Sequence, residues 1–460
     1  MTAQTDSADL LIGVDVGGTK IIASPVTPAG RVLGRNRQAT PRHEDPDKTV
    51  DAIAQAIADA LDSDPAAGRS PVGIGIGIPG VVDVQAGRVV VAPNMSISGV
   101  ELVSVLEDRF DVPVTMGNDV NCGILGEAWL GSARRTASSL GMFIGTGVGG
   151  GLVLNGRVYR GSREAAMEIG HMVMQLKGPQ CGCGGRGCLE ALASRSAIER
   201  KLREGVAAGE PTSLNHWLDG ELGQIRSSIL RRGLEEGDVL ITRVLREVSE
   251  VLGHACINLR HVLDPEVIVL GGGVIEACSS FLLPTIQAVV DTDPLAGARE
   301  GGAIRVSALG DDAVVLGATA AVLQRLGQDP LAAGPATDPE YAHLKADGDG
   351  IAVGEQKACD EDFYIRVNGE VRKRKKKHRK AQSLKRKQLG SEEMEKICEG
   401  GPEVLLIGGE QVELTVGGRA YLRQRGIEHL VMPVAQAREA YNQSDRRRAI
   451  VFVFDGDSDG

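Results

Sequence analysis

Apolar residues in this chain gather in short runs that end on glycine. The first run, Leu-Leu-Ile-Gly-Val-Asp-Val over 10–16, closes on Gly17-Gly18-Thr19-Lys20 and resumes as Ile-Ile-Ala-Ser over 21–24. The spacing predicts strand, tight turn, strand. Small residues at such a tip let backbone N–H groups come close to a phosphate. The G-x-x-x-x-G-K-[ST] spacing of a Walker loop is absent, and the segment after the glycines is not helical. Asp15, ending the first strand, faces the same space and is placed to organise Mg²⁺ through water. An ordinary β-hairpin would give the same local pattern.

The design recurs at 140–154, where Leu-Gly-Met-Phe-Ile leads into Gly145-Thr146-Gly147-Val148-Gly149-Gly150-Gly151 and Leu-Val-Leu. Two such hairpins predict two lobes built from related units. Between them, Val50, Ile53, Ala54, Ile57 and Leu61 share one face of a helix over 50–61. The run V-G-I-G-I-G-I-P-G over 72–80 predicts a buried strand in which the glycines serve close packing. A short strand at 114–116 delivers Gly117-Asn118-Asp119-Val120-Asn121 ahead of a helix over 122–130. Polar residues at a strand-to-helix junction are where α/β folds place chemistry, although Asn118 or Asp119 would also suit a helix cap. A third cluster, Gly271-Gly272-Gly273, follows the strand 267–270 and precedes a helix, a junction suited to close approach of a nucleotide's base or ribose. Helices are expected at 194–206, 222–236, 239–261 and 312–325. The Asp-Pro, Gly-Pro and Asp-Gly steps within 327–349 predict a linker.

Beyond it a second α/β pattern begins. Asn368-Gly369 between 364–367 and 370–373 is the preferred pair for a two-residue hairpin turn. Strands at 404–407, 429–432 and 449–454 alternate with helices near 391–399, 418–425 and 435–442. The basic run R-K-R-K-K-K-H-R-K over 372–380, with Lys385, Arg386 and Lys387 following, has no interleaved aromatics. It reads as a solvated edge or loop in preference to a polyanion-binding patch. Cys359, Cys398, His378 and His429 have no metal-ligand spacing.

At 460 residues the chain is long enough for two or three domains, and 42% hydrophobic content supplies their cores. A net charge of −10 and 3% aromatics supply neither the field nor the stacking surface that nucleic acid or an anionic membrane would select. No stretch reaches the roughly 20 apolar residues of a membrane helix, and residues 1–9 lack the basic start of a signal peptide. The expectation is a cytoplasmic protein with reduced thiols.

Three of the eight cysteines fall together. The stretch 168–190 reads E-I-G-H-M-V-M-Q-L-K-G-P-Q-C-G-C-G-G-R-G-C-L-E. Cys181, Cys183 and Cys188, separated by glycines, with His171 upstream, make a closed tetrahedral set for Zn²⁺, the pattern of a structural site. Glu168 and Glu190 bracket the knot and are better placed to meet a ligand than the metal. Cys122, Cys256 and Cys278 lie in apolar surroundings and read as core.

These motifs, D-V-G-G-T-K, G-N-D-V-N, G-T-G-V-G-G-G and E-I-G-H with the cysteine knot, resemble in order and spacing the ROK family of sugar kinases, over about residues 10–327. The resemblance implies a two-lobed actin/hexokinase-like (ribonuclease H-like) ATPase fold of α/β class. Lobe 1 would span about 10–130 plus 312–327, lobe 2 about 131–311, followed by a linker at 328–356 and a separate small α/β domain. That domain, 357–460, is similar over about 357–454 to an Mth938-like domain, through V-N-G-E-V-R, P-E-V-L-L-I-G and E-A-Y-N.

The resemblance implies ATP-dependent phosphorylation of a hexose with Asp119 as general base, acting on the 6-OH. Asn118, Asp119, Glu168, His171 and Glu190 would contact the sugar, and Asn94 is a further contact. His171 would bind zinc through one ring nitrogen and face the sugar with the other. Asp15, Gly17, Gly18, Thr19, Thr146 and Gly147 would hold the phosphates and Mg²⁺, and Gly271 and Gly272 the adenosine side. Glucose is the expected substrate, with mannose, fructose, N-acetylmannosamine and N-acetylglucosamine open. A homo-oligomer, dimer or tetramer, is implied. Repressors of the family carry a winged helix ahead of the first hairpin, and the nine residues before Leu10 leave no room for one. A sugar-sensing regulatory protein is the non-enzymatic alternative.

Overall fold

A computed structural model of the chain describes residues 9–42, 45–63, 66, 68–92, 95–217, 225–295, 302–331, 344–347, 350–353, 361–367, 369–374, 385, 387–444 and 446–454. These fall into two compact units, Met1–Arg135 with Asp311–Gly460, and Thr136–Gly310.

In the first unit, a five-stranded sheet runs in the order Asn36–Ala39, Lys20–Val26, Leu10–Val16, Pro71–Ile78, Val114–Asn118. The first three strands are antiparallel and the last two parallel to Leu10–Val16. Leu10, Leu11, Ile12, Val14 and Val16 are all fully buried, because a strand covered on both faces needs apolar residues at every position. The helix Pro46–Leu61 covers the sheet with Val50, Ile53, Ala54 and Ile57, and starts at Asp45, whose side chain accepts from Asp47 N–H. The helix Ala313–Arg325 packs where the strands are bare. A Cβ at Gly75 would lie 1.9 Å from Ala318 O, and one at Gly317 would lie 1.6 Å from Cys122 O in the helix Asp119–Leu130. The glycine alternation of 72–78 is therefore a seat for a helix.

The second unit repeats the topology, with Arg157–Val158, Val148–Leu154, Ser138–Ile144, Val267–Gly271 and Ala303–Val306 in the same mixed order. The helix Val239–Leu263, capped by Asp238 on Ile241 N–H at 2.9 Å, packs against Gly273–Val290. That second helix is long and apolar enough by composition to cross a membrane, yet Val274, Ile275, Cys278, Leu282 and Ile286 sit in the unit's core. Cys122 and Cys256 are buried as well.

The C-terminal sheet runs Val371–Lys373, Phe363–Ile365, Arg448–Phe452, Val404–Gly408, Glu428–Met432. Its helices are Ser391–Ile397, Val416–Gln424 and Val434–Gln443. Within 328–356, expected to be a linker, Leu344–Asp347 and Gly350–Val353 form an antiparallel hairpin. Leu344, Ile351 and Val353 are buried with Phe363, Tyr441 and Phe452, so three apolar residues scattered among Gly and Asp complete a core. Asn442 fixes the hairpin by accepting from Leu344 N–H and donating to Leu344 O, both at 2.9 Å.

The start of the basic run is structural. Arg374 is buried between Glu393 (Nε to Oε1, 2.6 Å) and Asp362 (Nη1 to Oδ2, 3.2 Å), while Arg372 and Lys373 pair with Glu370 and Glu361. The central part, 375–384, and Asn368 lie outside the described residues. The C-terminal sheet also grips the end of the helix Asp119–Leu130. Arg134, just past it, pairs with buried Glu403 at 3.2 Å and donates to Gly401 O at 3.0 Å. Burial lowers the Arg134 guanidinium to about 10 against the pull of Glu403.

Candidate functional site

In the first unit, strand register gathers the acids. Asp15 pairs with Gly77 across one parallel ladder, and Gly77 with Gly117 across the next. Asp119 follows two residues later, as the first residue of its helix. The bare Gly77 between them leaves Asp119 Cα 3.6 Å from the place a Cβ would take. Burial pushes the Asp15 carboxyl up to about 7, the negative charge of Asp119 adds to the rise, and Lys20 opposes it. Burial likewise raises Asp119, against hydrogen bonds led by Val120 N–H, which donates to Asp119 Oδ1 at 2.9 Å. Lys20 Nζ lies 3.3 Å from Asp311 Oδ1, a fourth charge at this end of the sheet.

Asn118 is the N-cap. Its Oδ1 accepts from Val120 N–H at 3.0 Å and Asn121 N–H at 3.2 Å, and its Nδ2 donates to Gly80 O at 3.0 Å. Of the two polar residues at this junction, Asn118 caps the helix and Asp119 begins it. The turn at 17–19 is held by Gly17 N–H on Lys20 O at 2.8 Å and by Thr40, whose hydroxyl donates to Gly17 O at 2.5 Å and whose N–H donates to Thr19 O at 3.2 Å.

In the second unit, the turn at 145–147 is braced by side chains. Glu190 Oε2 accepts Val148 N–H at 3.1 Å, Arg195 Nη2 donates to Thr146 Oγ1 at 2.7 Å, and Ser196 Oγ donates to Thr146 O at 2.8 Å. Gly271 and Gly272 join the strand Val267–Gly271 to its helix. A Cβ at Gly272 (φ +87°) would lie 2.6 Å from Ile144 O, and one at Gly271 would lie 2.7 Å from the Phe143 ring. Packing on the neighbouring strand is by itself a reason for both glycines.

The donor atoms of His171, Cys181, Cys183 and Cys188 all lie within 4.8 Å of one another. Cys183 Sγ and Cys188 Sγ are 3.8 Å apart, and Cys181 Sγ is 3.7 Å from His171 Nδ1. A tetrahedron with metal–sulfur bonds of about 2.3 Å has sulfur–sulfur edges of about 3.8 Å, so this donor set fits zinc. His171 turns Nδ1 to the cluster, which leaves Nε2 for another partner. Glycine makes the fold possible: a Cβ at Gly187 (φ +72°) would lie 1.7 Å from Gln175 O. The Gly185 N–H, 3.4 Å from Cys183 Sγ, holds that thiol below its ordinary value, as do Cys181 and Cys188 beside it. Burial pushes the Cys181 thiol up to about 12, the direction a bound cation reverses.

The structure thus places Asp15, Gly17, Gly18, Thr19, Asn118 and Asp119 at one end of the first sheet. In the second unit, Glu190 stands against both the turn at Thr146–Gly147 and the cysteine cluster, with Oε1 3.7 Å from Cys181 Sγ. Glu168 is exposed just ahead of the short 3₁₀ turn Ile169–His171. Asn94 lies outside the described residues. Pattern reading passed over Lys20 and Asp311, and Arg195 and Ser196. The signal for Lys20 was present in D-V-G-G-T-K. Nothing local marks Arg195, whose role depends on a turn 49 residues away.

A family model described as "ROK family" matches residues 11–325. A glucokinase from Thermotoga maritima is 33% identical over 320 residues, 69% of this chain and 98% of that protein. A xylose repressor from Caldicellulosiruptor bescii is 28% identical over 313 residues, 68% of this chain and 78% of that one. Among solved structures, a ROK family glucokinase from Streptomyces griseus, in complex with glucose and AMPPNP, aligns with TM-score 0.60 and 32% identity. That alignment covers 69% of this chain and all of that one. A ROK hexokinase from Thermus thermophilus aligns with TM-score 0.57 and 33% identity, over 69% of this chain and 99% of that one. The two repeated sheets carry the actin/hexokinase-like ATPase fold, and the C-terminal sheet is an addition to it.

Proposed function

The chain belongs to the ROK family, and from that membership we propose that it is an ATP-dependent hexose kinase that converts glucose to glucose 6-phosphate. The observation that carries this reading is the buried Asp119 carboxyl, first residue of its helix at the strand-to-helix junction and beside Asp15 at the same end of the sheet, its pKa raised by burial. Asp119 takes the proton of the sugar 6-OH as that oxygen attacks the γ-phosphorus. The bond from phosphorus to the β–γ bridging oxygen breaks, and ADP leaves with the electron pair.

Backbone N–H groups at Gly18 and Gly147, with the hydroxyls of Thr19 and Thr146, hold the phosphates, while Gly17, whose N–H donates to Lys20 O, shapes the turn. Asp15 would orient the hydration shell of Mg²⁺, and the ion would supply positive charge against the developing phosphate charge. Gly271 and Gly272 line the adenosine side. Asn118, Glu168, His171 and Glu190 contact sugar hydroxyls. For Asn118 the capping bonds leave mainly an Nδ2 hydrogen to offer. His171, Cys181, Cys183 and Cys188 would hold zinc, and His171, fixed by that ligation, would face the sugar. The sequence motifs V-N-G-E-V-R, P-E-V-L-L-I-G and E-A-Y-N are what supports assigning about residues 357–454 to an Mth938-like domain.

Repressors among the relatives motivate a second reading, a sugar sensor that binds without turnover. A coupled ADP-release assay over glucose, mannose, fructose and N-acetylated hexosamines decides between the two. Turnover with glucose preferred is expected, and absence of turnover on every sugar, with zinc content verified, would sink the kinase reading.

A further inference from the structure

One continuous stretch, 188–196, runs from the metal donors to the turn at 145–147. Cys188 is the last donor of the knot. Two residues on, Glu190 accepts Val148 N–H through Oε2 at 3.1 Å while Oε1 lies 3.7 Å from Cys181 Sγ. A Cβ on Gly147 would come within 2.3 Å of Glu190 Oε2, so the carboxylate lies directly against the turn. Ser194 then caps the helix Arg195–Ala207 by accepting from Ala197 N–H at 3.1 Å, which fixes where the helix begins. From that start, Arg195 N–H donates to Gly145 O at 2.9 Å, and the Arg195 guanidinium donates to Thr146 Oγ1 at 2.7 Å. Ser196 Oγ donates to Thr146 O at 2.8 Å. Gly145, Thr146 and Val148 each bond to this stretch, and Gly147 lies against it.

The Arg195 contact has a chemical consequence. A guanidinium only donates, so Thr146 Oγ1 is the acceptor and the hydroxyl's own proton is left to donate elsewhere. A hydroxyl held this way is a directed donor for an anionic oxygen, with a cation behind it.

We propose that residues 188–196 are a positioning strap through which the metal knot sets the geometry of the phosphate-holding turn, with Arg195 as a positioning residue for Thr146. The inference rests on the kinase reading for its ligand and goes beyond it in one respect: loss of the metal weakens nucleotide binding as well as sugar binding.

The test uses the full chain, with metal content measured before and after chelation. Hydrogen exchange at the amides of 145–148 reports on the strap without any ligand. Chelation should speed it at least about tenfold while 10–26 in the first unit stays unchanged. Binding of AMPPNP with Mg²⁺, measured by calorimetry without sugar, should weaken about tenfold on chelation and about tenfold in Arg195→Met, the worth of one charge-assisted hydrogen bond. Glucose affinity of Arg195→Met should stay within about twofold, and Arg195→Lys should recover part of the AMPPNP loss.

Unchanged exchange at 145–148 after verified metal loss would overturn the proposal. So would a rise spread equally over 10–26, or an Arg195→Met variant that loses glucose and AMPPNP alike. A wild-type chain that shows metal-dependent exchange at 145–148 yet fails to bind AMPPNP supports the strap and overturns the kinase reading instead.

Discussion

Both glycine turns have backbone bonds, but beyond these the turn at 17–19 is held by the side chain of Thr40, whereas the turn at 145–147 is held by the side chains of Glu190, Arg195 and Ser196. Both close the first two strands of a sheet with the same mixed topology. What lies beside each differs. Next to the first, parallel register brings Asp15 toward Asp119, with Lys20 and Asp311 alongside, and burial raises both of the first two carboxyls. Next to the second lie four metal donors within 4.8 Å of one another and a series of hydrogen bonds from residues 190–196. One repeated scaffold carries two buried acids beside its first turn and a side-chain hydrogen-bond network with a cluster of metal donors beside its second.

That contrast can be broken most sharply at Asp119. Asp119→Asn should lower kcat by about 10²–10⁴-fold, while glucose affinity by calorimetry stays within a few-fold. A variant that keeps its rate would move the chemistry out of the first unit.

Metal removal attacks the other side. Cys181→Ser, or chelation, should lower the melting temperature by several degrees and weaken glucose binding together, because His171 and Glu190 lose their anchor. Scanning calorimetry with metal analysis reads the first effect and titration with glucose the second. Unchanged stability in a chain shown to be metal-free would refute a structural role for the knot.

Two glycines, one within the first sheet and one in the turn at 145–147, should also answer differently to a single methyl group. At Gly75 a Cβ would lie 1.9 Å from Ala318 O, whereas at Gly145 nothing lies within 4 Å. Gly75→Ala should cost about 1–3 kcal/mol or more in urea unfolding, and Gly145→Ala no more than about 0.5 kcal/mol. Equal costs would mean that the helix Ala313–Arg325 does not press on the first sheet as described.

The finest test is the acid pair itself. Burial, with the negative charge of Asp119 adding to it, pushes the Asp15 carboxyl from 3.8 up to about 7 on folding. Between those values the folded protein binds the extra proton, so this group's effect on stability becomes less favourable as pH rises through that window and stays so above it. Asp15→Asn should therefore match wild type near pH 4 and exceed it in melting temperature by a few degrees at pH 8. An advantage that shrinks as pH rises would contradict the assigned direction.

Much of this was legible because the motifs are local. The two hairpins, the junction at 117–121 and the donor spacing of 181–188 need only neighbouring residues to declare themselves. The strands and helices of the C-terminal sheet also lie close to their expected positions, since each carries its own periodicity. The hairpin at 344–353 was hidden: three buried residues among Asp and Gly make no periodic signal, and only Phe363, Tyr441 and Phe452 across the core give them a place. Arg374 belongs to a run whose composition suggests solvent, and its burial depends on Asp362 and Glu393.

By itself, then, the sequence determined which turns are glycine turns, which residues can ligate zinc, and which carboxylate opens a helix. These follow from spacing, backbone freedom and side-chain chemistry over a few residues. The tertiary structure alone decided that Asn118 caps its helix, that burial raises Asp15 and Asp119 with Asp119 adding to the rise at Asp15, and that Arg195 donates to Thr146. Each of these depends on register or packing between segments far apart in the chain, where charge, burial and hydrogen-bond partners are set by neighbours that no local pattern names.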